Sequence, residues 1–166
     1  MSQDRMTSHS QFTRGEWELL GDAPLAACAA VALSEPGSGA REVDAVLHGW
    51  REAAGLFPDS ALIQALVREL DPQSRPAPAG APTPAEPTFD AIVDEALDLC
   101  RQAIVLLAER VAPEEVADYQ RFVLHMARRV AGATTEGGLF GLGGEPVSRA
   151  ERAVLREIAD ALGYER

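Results

Sequence analysis

The chain has 166 residues, of which 46% are hydrophobic and only 5% aromatic, and its formal net charge is −11. The length suits one domain or two small modules, and the alanine-rich apolar fraction with few β-branched residues disfavours β-sheet. The acidic balance excludes the broad basic face that binding to nucleic acid or an anionic membrane requires, and it is compatible with basic partners. Every one of the fifteen strongly basic residues is an arginine.

The amino-terminal sequence and the cysteines favour a cytoplasmic protein. Residues 1–11 are polar, unlike a signal peptide, and are predicted to form a disordered tail. The longest apolar run, Leu25–Leu33, has nine residues, whereas a membrane-spanning helix needs about 20. Cys28 and Cys100 have no second cysteine or histidine at metal-ligand spacing, so we expect buried free thiols in a reducing compartment.

The first predicted helix begins at Arg14, where two independent start signals coincide. Thr13 and Glu16 fit the S/T-x-x-E capping box, in which each side chain bonds the other residue's backbone N–H. Phe12 and Trp17 stand at the two positions of a hydrophobic staple.

Pro24 interrupts this first helical segment, and two alternatives stay open. The helix either kinks at Pro24, or it ends near Asp22 and a new helix begins at Pro24. In both cases the segment Leu25–Leu33 is apolar on all sides and is predicted to be buried.

Two amphipathic helices are predicted before a proline-rich segment. The first spans about 40–54, with a seam at helical spacing that comprises Val43, Val46, Leu47, Trp50 and Ala54. The second spans about 60–70 and ends before Asp71-Pro72. Residues 71–88 hold six of the eleven prolines and are interpreted as an extended linker, with a proline-rich ligand for aromatic-lined domains as the alternative.

The next two helices follow the linker. Thr88 is placed to cap a helix over about 89–111, whose wide apolar face makes it the candidate central helix. Pro113 is placed at the first position of the following helix. Gly132 can end that helix in the left-handed conformation.

The last predicted helix spans 149–162. Ser148 and Glu151 repeat the capping-box pattern, and Gly163 stands at the C′ position where glycine often ends a helix. Between this helix and the preceding one lies a glycine-rich stretch, residues 137–144.

These periodicities predict an all-α fold, an antiparallel bundle of about six or seven helices. Residues 1–11 form the tail, 12–70 an amino-terminal helical module, 71–88 the Pro/Ala-rich linker, and 89–166 a carboxyl-terminal helical module. We expect the two modules to pack together as one bundle.

The glycine-rich stretch does not have the chemistry of a phosphate or calcium loop. It lacks the lysine of a P-loop and is flanked by Glu136 and Glu145, which would repel phosphate and are too far apart for an EF-hand. Three apolar residues lie among its glycines, and they either pack onto the bundle or form a tip that binds a partner. The candidate partner-binding residues are therefore Leu139, Phe140 and Leu142.

No catalytic, cofactor-binding or metal-binding residues are predicted. Asp90, Asp94 and Asp98 share one helix face, where two of them could bridge a divalent cation, but a solvated polar face is the simpler interpretation. The Glu-x-x-His pairs of di-iron bundles are absent from the sequence. We expect His125 to be exposed and His48 to lie on a helix flank.

Two stretches resemble a known family. "FTRGEWELLGDAPLAACAAVALSEPGSG", residues 12–39, resembles the opening of actinobacterial proteins related to TerB, the tellurite-resistance-associated helical family. Residues 123–163 resemble its closing unit, in which an apolar helix leads through a small-residue loop to a "V-S-x-x-E" cap and an "L-x-x-I-A-x-x-L-G" helix. Those motifs are carried here by Val147, Ser148, Glu151, Leu155, Ile158, Ala159, Leu162 and Gly163.

The resemblance implies an all-α bundle and an association with stress response or membrane-linked complexes. Family members often carry an "A-D-G" turn with acidic residues that are candidates for metal binding. The corresponding turns of this chain read "LSEPGSG" and "AGATTEGG". They contain Glu35 and Glu136 but no aspartate, which departs from the family pattern.

Three hypotheses for function follow. The first is a non-catalytic cytoplasmic interaction or scaffold protein, TerB-like and stress-linked, with a homodimer as an option. Its contact elements would be Leu139–Leu142 and exposed surfaces of Trp17 or Trp50. The second is a metal-responsive stress protein that binds a divalent cation through Glu35, Glu136 or the aspartate face. The third is an enzyme whose helical active site is assembled from distant residues.

Overall fold

The computed structural model describes residues 9–35, 40–70, 87–135 and 147–164. Within these ranges the chain has a short 3₁₀ helix, His9–Gln11, and no β-strand. The six α-helices are α1 Arg14–Ala32, α2 Ala40–Leu56, α3 Ala61–Glu69, α4 Phe89–Arg110, α5 Pro113–Thr135 and α6 Arg149–Ala161. The predicted all-α bundle of about six helices is confirmed. Residues 1–8 of the predicted tail, the linker over 71–86 and the glycine-rich stretch lie outside the described residues. The prediction of a disordered tail over 1–11 is wrong for its last three residues, which form the 3₁₀ helix.

Helix α5 is the centre of the bundle, because it contacts each of the other five helices. The expectation that the helix over 89–111 would be central is wrong, since α4 packs mainly on α1. All six helices contribute apolar side chains to one core, which includes Leu20, Trp50, Leu62, Leu107, Phe122 and Ile158. The two halves of the chain therefore share a single core.

An aromatic cluster around Phe122 joins α5 to α2 and to the segment that follows α2. The Phe122 ring lies 5.5 Å from that of Trp50 and 6.4 Å from that of Phe57, both edge-to-face, and 6.2 Å from that of Tyr119. The buried hydroxyl of Tyr119 donates a 2.8 Å hydrogen bond to the carbonyl oxygen of Leu20 in α1. This bond satisfies a phenol that would otherwise be costly to bury.

Helix α1 begins as predicted. The Thr13 hydroxyl accepts a hydrogen bond from the Glu16 amide at 3.3 Å, and the Glu16 carboxylate accepts one from the Thr13 amide at 2.7 Å. The Phe12 and Trp17 rings are 5.7 Å apart. Of the two alternatives at Pro24, the structure has one helix that continues through the proline, which is buried inside it.

The predicted seam of α2 is partly wrong. Val43 is 59% exposed, whereas Trp50 and Ala53 are buried. Gly49 explains the rotation, because a Cβ at this position would lie 3.0 Å from the sulfur of Met126 in α5. The close approach of the two backbones at Gly49 centres the buried side of α2 on Gly49 and Ala53, which are four residues apart, and leaves Val43 at the exposed edge of that side.

A carboxylate from α5 caps the amino terminus of α3. Glu115 accepts a 2.6 Å hydrogen bond from the Ser60 hydroxyl and bonds of 3.0 and 3.3 Å from the amides of Ala61 and Leu62. The Ser60 hydroxyl in turn accepts from the amide of Ile63 at 3.2 Å. Glu115 lies in the first turn of α5, where a carboxylate complements the positive end of its own helix, and the fold also applies its charge to the amino terminus of α3.

The other helix ends test the glycine predictions. Gly132 does not end α5, which continues to Thr135. Gly163 does end α6, with φ of 66°. The amides of Gly163 and Tyr164 donate 3.0 Å bonds to the carbonyls of Asp160 and Ala159, the pairing of a Schellman motif.

The two cysteines are free and buried, as predicted. Burial raises the pKa of Cys28 and of Cys100 to about 12. Both thiols therefore stay protonated at neutral pH, a state in which cysteine is neither a nucleophile nor a metal ligand.

Glu115→Ala is expected to lower the free energy of unfolding by about 2–3 kcal/mol, because it leaves buried amides of α3 without their charged acceptor. Urea denaturation followed by circular dichroism measures the change. Glu114→Ala is the matched control, since it removes the same charge from the same helical turn at an exposed position, and about 0.5 kcal/mol or less is expected. Equal losses in the two variants would contradict the capping role.

Candidate functional site

The tryptophans are not contact surfaces. Trp17 and Trp50 are each only 3% exposed, so the expectation of exposed tryptophan surfaces is wrong. Trp17 is held by the staple with Phe12, and Trp50 by the ring of Phe122. The candidate partner-binding residues Leu139, Phe140 and Leu142 lie outside the described residues, and their role stays a prediction.

The acidic residues do not assemble a metal site in the part of the chain that the structure describes. Asp90, Asp94 and Asp98 are exposed on α4, and Asp98 pairs with Arg101 at 2.8 Å. Among the described residues, no group of three or more histidine, cysteine, aspartate or glutamate side chains could hold a metal ion. Glu35 follows α1 and is half-buried, while Glu136 is outside the described ranges.

Glu52 is the centre of a charged junction between α2 and α5. Its carboxylate lies 2.8 Å from the guanidinium of Arg129, 3.7 Å from Nε2 of His125 and 3.9 Å from Nε2 of His48. The prediction that His125 is exposed is wrong, since its side chain is only 27% exposed. Burial lowers the pKa of His125, and the neighbouring Glu52 carboxylate opposes that change in part.

Beyond this junction α2 and α5 leave a cleft of about 620 Å³, which we name the wide cleft. Its lining combines small residues with charged and polar ones. The residues that line it are Asp44, Ala45, His48, Arg128, Arg129, Gly132 and Ala133. Cations and a carboxylate therefore face the same space, and Arg129 is already engaged by Glu52.

A second cleft, of about 300 Å³, lies between α5 and α6 and is more uniformly charged. We name it the arginine cleft. Its described lining is Arg128, Arg152, Leu155, Arg156, Ala159 and Tyr164, with no carboxylate among these residues. Three guanidinium groups thus border one small space in a protein whose net charge is −11.

Local structure places each of these cations. Arg152 and Arg156 are four residues apart on α6, so their side chains project from the same face of the helix. Arg128 comes from α5, which packs against α6. The carboxyl end of α6 is held against α5 because the side-chain amide of Gln120 donates a 2.8 Å hydrogen bond to the backbone carbonyl of Leu162. The Schellman motif then brings Tyr164 back to the cleft.

Arg128 and Arg156, like Arg51 and Arg149, differ from the described arginines that form ion pairs. Arg14, Arg101 and Arg110 form ion pairs with Glu18, Asp98 and Glu16 at 2.9, 2.8 and 3.0 Å. Arg121 likewise pairs with Asp118. Arg128 and Arg156 are exposed, and neither has an ion-pair partner among the described residues. Their charges are available to a ligand.

Sequence reasoning did not identify this cleft. The signals were present, namely the adjacent pair Arg128 and Arg129 and the i, i+4 pair Arg152 and Arg156. Charged residues on an amphipathic helix are usually solvated, so each pair alone indicates no site. Only the packing of α6 beside α5 brings the two helices' arginines to one space.

Comparisons with protein-family models, curated proteins and solved structures found no match. None of the described helices is long and apolar enough to cross a membrane. The geometry and charge of the clefts are therefore the features of the molecule that bear on its function.

Glu52→Gln is expected to lower the pKa of His125 further, because it removes the carboxylate that favours the imidazolium while burial remains. The pH titration of the His125 imidazole signals by NMR measures the shift, with His125→Gln to assign them. Asp44→Asn is the control, since it removes a carboxylate from the same helix that does not act on His125. A rise in the pKa, or equal shifts in both variants, would contradict this description of the junction.

The lowered pKa of His125 also makes the stability of the folded chain depend on pH. Between the folded and unfolded pKa values the unfolded chain binds more protons, so stability rises with pH. The contribution is fully present above the unfolded value of about 6.5 and is lost as the pH falls through the folded value.

Proposed function

We propose that this chain is a non-catalytic interaction protein that binds a short acidic segment of a partner protein in the arginine cleft. The observation that carries the proposal is the lining of that cleft. Arg128, Arg152 and Arg156 border one space from two helices, and no carboxylate is among its described lining residues. Guanidinium groups bind carboxylates through two parallel hydrogen bonds, so such a cleft suits an acidic ligand.

The net charge limits the length of the ligand. The chain as a whole carries −11 and would repel a long polyanion such as nucleic acid. At physiological ionic strength charges are screened beyond about 8 Å. A few acidic residues at the cleft therefore experience mainly its arginines, whereas a long acidic chain would also meet the acidic helix faces.

The chemistry of the lining favours binding over catalysis. Arginine stays protonated in proteins and does not exchange protons during a reaction. The other described lining residues supply alkyl groups and the phenol of Tyr164. Within that lining there is no imidazole, thiol or carboxylate to act as a general base or nucleophile.

The TerB-like assignment and a stress-linked, cytoplasmic role are part of the same proposal. The all-helical architecture supports them at the level of fold class alone. A homodimer and a second contact surface at Leu139, Phe140 and Leu142 also remain predictions. The cleft differs from those features because its geometry is defined by described residues.

Fluorescence anisotropy with labelled hexaglutamate and hexalysine peptides tests the proposal. Hexaglutamate is expected to bind the full chain, and Arg128→Gln is expected to weaken that binding about tenfold, or about 1.4 kcal/mol. Arg101→Gln is the matched control, because it makes the same charge change on α4, where Arg101 pairs with Asp98, and it should bind like the parent chain.

Two results would overturn the proposal. One is preferential binding of hexalysine, which would show that the acidic surface dominates recognition. The other is equal weakening by Arg128→Gln and Arg101→Gln, which would show a response to net charge without a site. Thermal melts of both variants verify that the fold is kept, as expected for exposed positions.

A further inference from the structure

We infer that the arginine cleft recognises a phosphate monoester, carried by a phosphorylated serine or threonine in the acidic segment of the partner. The inference rests on the proposed function and narrows its ligand class. It follows from the number of unpaired guanidinium groups, the size of the cleft, and the contrast with the wide cleft beside it.

The unpaired charges match a dianion better than a carboxylate. Arg128 and Arg156 have no ion-pair partner among the described residues, and Arg152 borders the same space. One carboxylate would balance one of the two unpaired cations. A phosphorylated side chain carries about −1.5 to −2 at neutral pH and has three terminal oxygens. It can therefore accept hydrogen bonds from two guanidinium forks at once.

The dimensions of the cleft suit one such group. At about 300 Å³ it is at the lower limit of ordinary ligand pockets. Leu155 and Ala159 lie on the same face of α6 as the two arginines, at i+3 and i+7 from Arg152, and add apolar surface to the lining. A side chain with a compact anionic end would place its methylene beside these residues and its charge among the guanidinium groups.

Tyr164 adds a hydroxyl group to the same lining. A phenol can donate one hydrogen bond to a phosphate oxygen, and unlike a carboxylate it does not repel the anion. Its place depends on Gly163, whose φ of 66° turns the chain at the end of α6. The Schellman bonds and the Gln120 bond to Leu162 hold this turn against α5 before any ligand binds.

The wide cleft is the competing site and is less suitable. It shares Arg128 with the arginine cleft, but Asp44 also lines it and Glu52 already neutralises Arg129. A dianion in that space would meet the Asp44 carboxylate and would compete with Glu52 for Arg129. Because a carboxylate lines the wide cleft and none is among the described lining residues of the arginine cleft, the phosphate is assigned to the arginine cleft between α5 and α6.

Calorimetric titration of the full chain with three matched peptides tests the inference. The peptides share the sequence acetyl-Gly-Glu-X-Glu-Gly-amide, with X as phosphoserine, glutamate or serine, and inorganic phosphate is a fourth titrant. The phosphoserine peptide is expected to bind at least about tenfold more tightly than the glutamate peptide, and the serine peptide more weakly than both. Inorganic phosphate should bind more weakly than the phosphoserine peptide, because it lacks the flanking contacts.

Two variants separate specific recognition from general charge. Arg156→Lys keeps the charge but removes the planar fork, so it should lose most of the preference for phosphoserine over glutamate while it still binds the glutamate peptide. Arg101→Gln should keep the preference. A preference that survives Arg156→Lys unchanged would overturn the assignment of Arg156 to phosphate recognition.

The outcomes distinguish this inference from the proposed function. Equal binding of the phosphoserine and glutamate peptides would overturn the phosphate inference and leave the acidic-partner proposal intact. Tighter binding of inorganic phosphate than of the phosphoserine peptide would also overturn it, because the site would then serve the free anion. Absence of binding by every acidic peptide would overturn both.

Discussion

The packing of α5 against every other helix is the constraint on which the rest of the structure depends. Its first turn caps α3 through Glu115, and its middle holds the aromatic cluster around Phe122. Its carboxyl half supplies Arg128 and Arg129. Because one helix contributes to all three features, the position of the arginines follows from core contacts of the same helix, including those of the buried Met126 and Ala127 beside Arg128. The structure thus ties a surface charge to the helix that contacts all of the others.

Small residues determine where neighbouring helices pack closely on α5 and where a cleft remains between them. Gly49 lets α2 approach α5 until Met126 fills the space above it. Past that contact Ala45, Gly132 and Ala133 are too short to close the gap, and the wide cleft remains. On the other side α6 meets α5 beside Arg128, and the side chains of α6 at this boundary include two arginines. The clefts are therefore consequences of side-chain size at helix–helix boundaries.

Much of the fold could be predicted because its signals are local. The capping boxes of Thr13 and Ser148 each involve residues three apart, and both are present in the structure. The errors occur where tertiary packing decides. Val43 fits the seam of α2 by periodicity, but the approach permitted by Gly49 rotates the helix away from it. The arginine cleft was not predicted for the same reason, since no local sequence rule brings Arg128 and Arg156 to the same space.

The proposed preference for a compact acidic ligand follows from the difference in charge between the two clefts. In the wide cleft Asp44 belongs to the lining and Arg129 is already paired with Glu52, so an incoming anion would meet one carboxylate and compete with another for Arg129. In the arginine cleft no such competitor is among the described lining residues. Under this proposal the acidic exterior would repel extended polyanions and the cleft would attract a compact one, because electrostatic attraction is short-ranged when salt screens the charges. Discrimination by the length of the ligand would then require only that the unpaired Arg128 and Arg156 border one small space.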